Sequence, residues 1–328
     1  MKPRERVFAA LNLQIPDRVP RVEGWIDALL DDLGQQDLQS AHVNLGQDSI
    51  MIHSQSPPTS NAWRNGVDEW GRLWMNGMYV SGVVNSMADI KKYSMRPDKV
   101  DDFFDEEITK KTKSDYPDHC LMYGSHLGPF MAAYMAMGFE EFFLRIIDDP
   151  AFIHALIEDR TEWTVAMFKK AVALGAEVLV IGDDAAHKEA PMISPKMWRE
   201  FVLPYHRVIV DAVDKPMIFH SDGNILQVLP MIIDAGFIGY HSLEPAAGID
   251  LGEVKKEYGK DLVLIGNVDV SILAGDNPGA VRDEVDRCIS QGAPGGGYMI
   301  SSCNSIFDGL NPKSVAEMFR YTGEVGYY

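Results

Sequence analysis

Cysteine is scarce: the 328 residues contain three, Cys120, Cys288 and Cys303. An odd number spread so far apart cannot build a disulfide framework, and no CxxC pair offers a compact zinc knuckle, so a reducing, cytoplasmic setting is expected. Nowhere do 18 consecutive apolar residues occur, so no transmembrane helix is expected. Cations are short as well, with 30 Lys and Arg against 48 Asp and Glu and a net charge of −18. That charge repels a phosphate backbone or an anionic membrane surface at long range, which disfavours nucleic acid and membrane as partners. The opening MKPRERVFAALNL is basic and then apolar, but Asn12 and Gln14 break the apolar part and no small-residue cleavage site follows. It is not read as a secretory signal. No GxGxxG or GxxxxGKS/T turn occurs, which removes the usual mark of a dinucleotide or nucleoside-triphosphate site. The nearest approach, GAPGGG at 292–297, precedes an apolar run instead of following one and reads as a turn.

What is plentiful is apolar residues, 46% of the chain, enough for a large core. From about Cys120 onward they gather in short runs, 120–126, 177–184, 216–223, 237–244, 261–267 and 297–303, separated by segments of helical periodicity. Unbroken runs of this length read as strands buried on both faces. The intervening helices carry start and stop signals. Asn277 and Pro278 suit the N-cap and the first turn, Val281, Val285, Cys288 and Ile289 recur on one face, and Gly292 ends the pattern. The stretch 225–235 repeats the scheme before Gly236, and Asn311 with Pro312 opens the last helix. Repeated strand–helix units predict a parallel sheet. Each run ends in polar groups, as the strands of a (β/α)8 TIM barrel do at their C-terminal ends. The expected fold is therefore α/β, one barrel domain over 1–328, with an irregular N-terminal region at 1–110 over the barrel mouth and regular repeats at 111–328. Within that first region WRNGVDEWGRLWMNGMYV, with Trp63, Trp70, Trp74 and Tyr79, reads as a hairpin or extended flap, either a core plug or an aromatic wall over a substrate. DDFFDEE at 101–107 reads as a solvated face or a helix start.

The polar run ends are the candidates for chemistry: Ser125 and His126, Asp183 and Asp184, His220 and Asp222, Glu244, Asn267 and Cys303. His220, Asp222, Glu244 and Cys303 combine imidazole, carboxylate and thiolate, the donors that zinc accepts, and a catalytic zinc keeps a position open for substrate. Asp183 and Asp184 either contact substrate or cofactor or cap the following segment. His126, His187 and His241 have packing and hydrogen bonding as their simplest uses.

The segments RERVFAALNLQIPDRVP, IGDD followed by ISPKMWREFVLPY, FHSDGN, HSLEP, LIGNVD and GGYMISSCNSI resemble the uroporphyrinogen-decarboxylase-like superfamily, in particular its cobamide-dependent methyltransferase branch, over nearly the whole chain. The resemblance implies a barrel in which zinc is held by the His and Cys of an HxCG turn, by a later Cys and, in some states, by a carboxylate. Position by position these are His220, Asp222 in place of the first Cys, Cys303, and Glu244. Asn267 and Asp269 of GNVD are similar to a family turn at the barrel mouth and, with His126, are candidate substrate or cofactor contacts; Asp183, Asp184 and His187 are the candidate catalytic groups, His187 as a donor to a leaving oxygen. Two departures narrow the function. The RQAGR motif with which the decarboxylases grip carboxylates has no counterpart in VPRVEGWIDALL, which argues against uroporphyrinogen decarboxylation. Asp222, standing where thiol-methylating relatives carry Cys, would leave zinc a harder Lewis acid. The expected activity is zinc-dependent transfer of a methyl group from a small methoxylated substrate to the cobalt(I) of a corrinoid protein, with methylcobamide:thiol methyl transfer as the alternative. A non-catalytic tetrapyrrole carrier is disfavoured, because DAAHKEA (184–190) lacks the spacing and the Gly of a corrinoid-ligating DxHxxG.

Overall fold

Buried runs without alternation become parallel strands, and the computed structural model, which describes residues 1–24, 26, 29–35, 37–53, 65–125 and 127–328, carries one at each of the six expected places. In chain order the strands are β1 (Ser49–His53), β2 (Asn65–Val67), β3 (Arg72–Met75), β4 (Met78–Gly82), β5 (Cys120–Ser125), β6 (Val178–Gly182), β7 (Met217–His220), β8 (Gly239–Ser242), β9 (Val263–Gly266) and β10 (Tyr298–Met299). Seven of them form one sheet in the order β1-β5-β6-β7-β8-β9-β10, with every pair parallel. Helices Pro150–Leu174, Leu203–Asp211, Leu229–Asp234, Leu251–Tyr258 and Pro278–Gly292 make the crossovers. Their starts follow the sequence signals: Asn277 accepts from the N–H groups of Gly279 and Ala280, and Asn311 from that of Lys313.

The two faces of each strand serve different layers, as the period of two requires. Met51, Met122, Val180, Ile218, Ile265 and Met299 line a single interior cavity of about 30 Å³, so the sheet is curled until its two edges face each other. Val7, Ala10 and Leu11 of helix Pro3–Leu11 join the same apolar group. The alternate residues, among them Leu121, Tyr123, Leu179, Ile181, Phe219 and Leu264, pack outward against the helices.

Eight strands were expected; among the described residues the sheet has seven and is open, not a closed (β/α)8 barrel. Between its edges runs Pro20–Val22. Ile300 N–H donates to Pro20 O, Val22 N–H to Ile300 O, and Asp48 N–H to Arg21 O. Pro20 has no N–H for a ladder, and the N–H of Arg21 is taken by the Asp48 carboxylate at 2.9 Å. The segment therefore makes an isolated bridge at Arg21 and Ile300 in place of an eighth strand. The 1–110 region also departs from expectation, because β1 lies within it and is an edge strand of the main sheet.

Strands β2, β3 and β4 form a separate antiparallel sheet. It packs on the helix layer as a plug: Tyr79 Oη donates to Met135 O, Arg160 to Trp70 O, and the Trp70 ring stacks on Phe103 at 5.6 Å. Trp63 lies outside the described residues. In the acidic run, Pro97–Phe103 is a 3-10 turn, and Asp105 caps helix Glu106–Asp115 by accepting from Ile108 N–H. No helix among the described residues is long and apolar enough to cross a membrane.

Candidate functional site

Register alone places Gly182, His220 and His241 side by side across β6, β7 and β8. Beyond Gly182 the chain continues into Asp183 and Asp184, and beyond His220 it turns through Ser221 and Asp222. One donor atom each of Asp184, His220 and Asp222 lies within 4.8 Å of the other two. His220 Nε2 is 3.9 Å from Asp184 Oδ1 and 3.8 Å from Asp222 Oδ1, and Asp222 N–H donates to Asp184 Oδ1 at 3.0 Å. Asn304 Nδ2 donates to Asp222 Oδ2 at 2.6 Å, while Asp222 Oδ1 is buried with no hydrogen bond. Burial raises the Asp222 carboxyl above its usual range; His220 opposes the rise and Asp184 and Glu244 add to it.

Behind His220 stands a second histidine. His220 Nδ1 and His241 Nδ1 are 2.6 Å apart, and the ring centroids, 4.8 Å apart at an interplanar angle of 27°, fit rings that meet edge to edge through that bond. The tautomers follow from the partners. Ser302 O can only accept, so His241 Nε2, 3.0 Å from it, carries a hydrogen. Complete burial, with His220 adding to it, holds the His241 pKa well below the usual value. A neutral imidazole carries one hydrogen, and with that of His241 on Nε2 facing Ser302 O, His220 Nδ1 is the donor between the two rings. The Nε2 lone pair of a neutral His220 then faces the two carboxylates. An imidazole nitrogen and two carboxylates facing one another, with a buried carboxylate oxygen lacking a donor, are a donor set that a divalent cation completes.

The other residues expected at the site are placed as follows. Glu244 accepts from Gly223 N–H at 2.9 Å. Gly223 has φ +79°, and a Cβ there would stand 2.6 Å from His187 O and 2.8 Å from Ala186 O, so this turn needs glycine. Cys303 is buried, which pushes its thiol up to about 12, with Asp269, Glu244 and Asp222 as negative neighbours. Neither Glu244 nor Cys303 joins the 4.8 Å group of Asp184, His220 and Asp222. Asp183 turns away, accepting from Met131 N–H at 2.6 Å and pairing with His206 Nε2 at 2.8 Å; it holds the first turn of helix Pro129–Met137. Asn267 is buried, donating to Leu243 O and accepting from Arg287. Asp269 caps helix Val270–Leu273 through Ser271 N–H. His187 is exposed, and its carbonyl accepts from Asn224 N–H. His126 lies outside the described residues. The structure thus gathers Asp184 with His220 and Asp222, and it adds Asn304 and Glu23, which sequence reasoning did not single out. Glu23 is 1% exposed and accepts from Ser302 N–H and Ser301 Oγ.

A family model described as uroporphyrinogen decarboxylase (URO-D) matches residues 75–325. Over 165 residues the chain is 31% identical to a methylated-thiol–coenzyme M methyltransferase of Methanosarcina mazei, a match covering 50% of this chain and 43% of that protein. Over 327 residues it is 26% identical to the methylcobamide:CoM methyltransferase MtbA of Methanosarcina acetivorans, covering 93% of each. A uroporphyrinogen decarboxylase of Shewanella halifaxensis is 26% identical over 207 residues, 60% of this chain and 56% of that one. Among solved structures, a methyltransferase from Methanosarcina mazei superposes over 99% of both chains with a TM-score of 0.77 at 19% identity, a likeness of fold.

Proposed function

This chain belongs to the uroporphyrinogen decarboxylase (URO-D) family, and from that premise we propose that it is a methyltransferase that works with a corrinoid protein and passes the methyl group of a methylcobamide to a thiol. The observation that carries this reading is the match along 93% of both chains to a methylcobamide:CoM methyltransferase. It reverses the order expected from the sequence, where methyl transfer from a methoxylated compound stood first. That expectation weighed one residue, Asp222 in place of Cys, whereas one methyltransferase relative, named for methylcobamide and CoM, is similar along 93% of the chain and another, named for a methylated thiol and coenzyme M, along 50% of it. Decarboxylation stays disfavoured, since VPRVEGWIDALL offers no arginine cluster for a polycarboxylate.

In this reading Asp184, His220 and Asp222 hold a divalent ion, with zinc as the first candidate and Cys303 and Glu244 nearby. Such an ion supplies Lewis acidity that lowers a thiol's pKa and keeps its sulfur anionic. The chain's own residues do the positioning. Asn304 fixes Asp222 by one oxygen and leaves the other towards His220, and His241 fixes the ring of His220. Asp184, with its side chain 32% exposed, is the carboxylate through which the thiol's proton can leave to solvent. The thiolate lone pair forms the C–S bond, the Co–C bond breaks with its electron pair left on cobalt, and methyl-cobalt(III) becomes cobalt(I).

Demethylation of a methoxy compound stands second, favoured by the two carboxylates gathered at His220 where Cys303 is not. A spectral assay of cobalt separates the two. Thiol-dependent loss of methyl-cobalt(III) is expected; methylation of cobalt(I) by methoxy compounds, with no thiol methylation, would exchange the readings.

A further inference from the structure

We propose that Glu23 is a positioning residue for this centre, the end of a buried hydrogen-bond chain Glu23–Ser301–His241–His220 that steadies the orientation of the His220 ring and places a negative charge behind it. The inference rests on reading Asp184, His220 and Asp222 as a cation site. Its members lie on four separate parts of the chain. Ser301 Oγ donates to Glu23 Oε2 at 3.0 Å. The same hydroxyl oxygen lies 3.4 Å from His241 Nε2, the longer arm of a donation shared with Ser302 O at 3.0 Å. His241 Nδ1 accepts from His220 Nδ1 at 2.6 Å. Every proton in the chain therefore points from His220 towards Glu23, and the Nε2 lone pair points the opposite way, to Asp184 and Asp222.

Glu23 is built as an acceptor. Besides Ser301, Ser302 N–H donates to Oε2 at 2.9 Å and Gly24 N–H to Oε1 at 3.0 Å. These donors hold the carboxylate in a setting that is otherwise apolar. The cavity that Glu23, His241 and Ser301 help to line is walled by Met51, Met122, Ile218, Ile265 and Met299. In such surroundings a charge is weakly screened, and hydrogen bonds in series polarise one another. A ligating imidazole that donates its other N–H to a strong acceptor is fixed in orientation and becomes a more basic ligand. Here that acceptor is a neutral histidine, and the carboxylate lies one histidine and one serine further in.

The test uses Glu23→Gln, which can keep the bonds from Ser301 and Ser302 through its amide oxygen and removes the charge, together with Ser301→Ala, which removes the link. Zinc affinity is measured at pH 8, where the Glu23 carboxyl is ionised, by competition with a chelating dye, the His220–His241 N–H proton by imidazole NMR of the metal-free protein at the same pH, and folding by the thermal midpoint. Glu23→Gln is expected to weaken zinc binding about 10-fold or more and to move the downfield N–H resonance upfield, with a native-like melting transition. Ser301→Ala should act in the same direction and less strongly, and it decides alone if Glu23→Gln does not fold. Unchanged zinc affinity and an unchanged resonance overturn the proposal. If the unmodified protein takes up no zinc, the cation-site reading falls, and the resonance alone then decides the role of Glu23.

Discussion

Asp222 is tied to Asn304 by one oxygen and is bare at the other, which gives it two separable jobs. Asp222→Ala is expected to lower affinity for a divalent ion by about 10- to 100-fold, measured by competition with a chelator. Cys303→Ser should lose less, because Cys303 lies outside the group of Asp184, His220 and Asp222. Glu23 gives a prediction of pH dependence. Burial raises its carboxyl from 4.5 to about 7, against the lowering effect of its bonds from Ser302, Gly24 and Ser301. Between those values the folded chain keeps a proton that the unfolded chain has released. Stability from this group is therefore full at the acid end and falls as pH rises through about 7, by on the order of 3 kcal/mol in total. In the metal-free protein, Glu23→Gln should gain stability relative to the unmodified chain between pH 5 and pH 8. A difference in unfolding free energy that stays flat across that range would mean that the carboxyl ionises as an ordinary one.

The seam between β1 and β10 depends on one side chain. Asp48, fully buried, accepts from Arg21 N–H and pairs with Arg18 at 3.1 Å and with Arg6. Asp48→Ala would leave the buried Arg6 guanidinium without this partner and should destabilise the fold by about 3–5 kcal/mol, read from chemical denaturation; a loss under about 1 kcal/mol would mean that the seam does not depend on it. This is also where the sequence stops being informative. Strands β5 to β10 were legible because strands covered on both faces are continuous apolar runs. Strand β1, SIMIH, is five residues with polar ends, and the seam's Pro20 and Arg21 resemble no strand at all; a barrel of eight was inferred from repetition that the N-terminal part does not share. The site divides in the same way. His220 and Asp222 stood out at the end of a run, and Asp184 was marked as a polar run end, although its approach to His220 depends on strand register. Glu23 and Asn304 act across 278 and 82 residues of sequence, and no local pattern announces them.

With a net charge of −18, the chain would meet the corrinoid protein of the proposed function through local complementarity, because its overall field repels acidic proteins. Added salt should therefore raise, or leave unchanged, the rate of transfer from an acidic corrinoid protein, and a steep fall between 50 mM and 300 mM salt would mean that opposite charges steer the encounter. In the proposed function the carboxylates and imidazole at the ends of β6 and β7 hold the ion that activates a thiol for methylation. The most direct measurement is the thiol-dependent conversion of methyl-cobalt(III) to cobalt(I), followed by absorption, for the zinc-loaded unmodified protein and for an Asp184→Ala, Asp222→Ala double variant whose melting transition is native-like. Rapid conversion is expected of the former and a loss of about 100-fold or more in the latter. Equal rates in the two proteins, or conversion by the unmodified protein that survives complete removal of metal, would contradict this role for the ion.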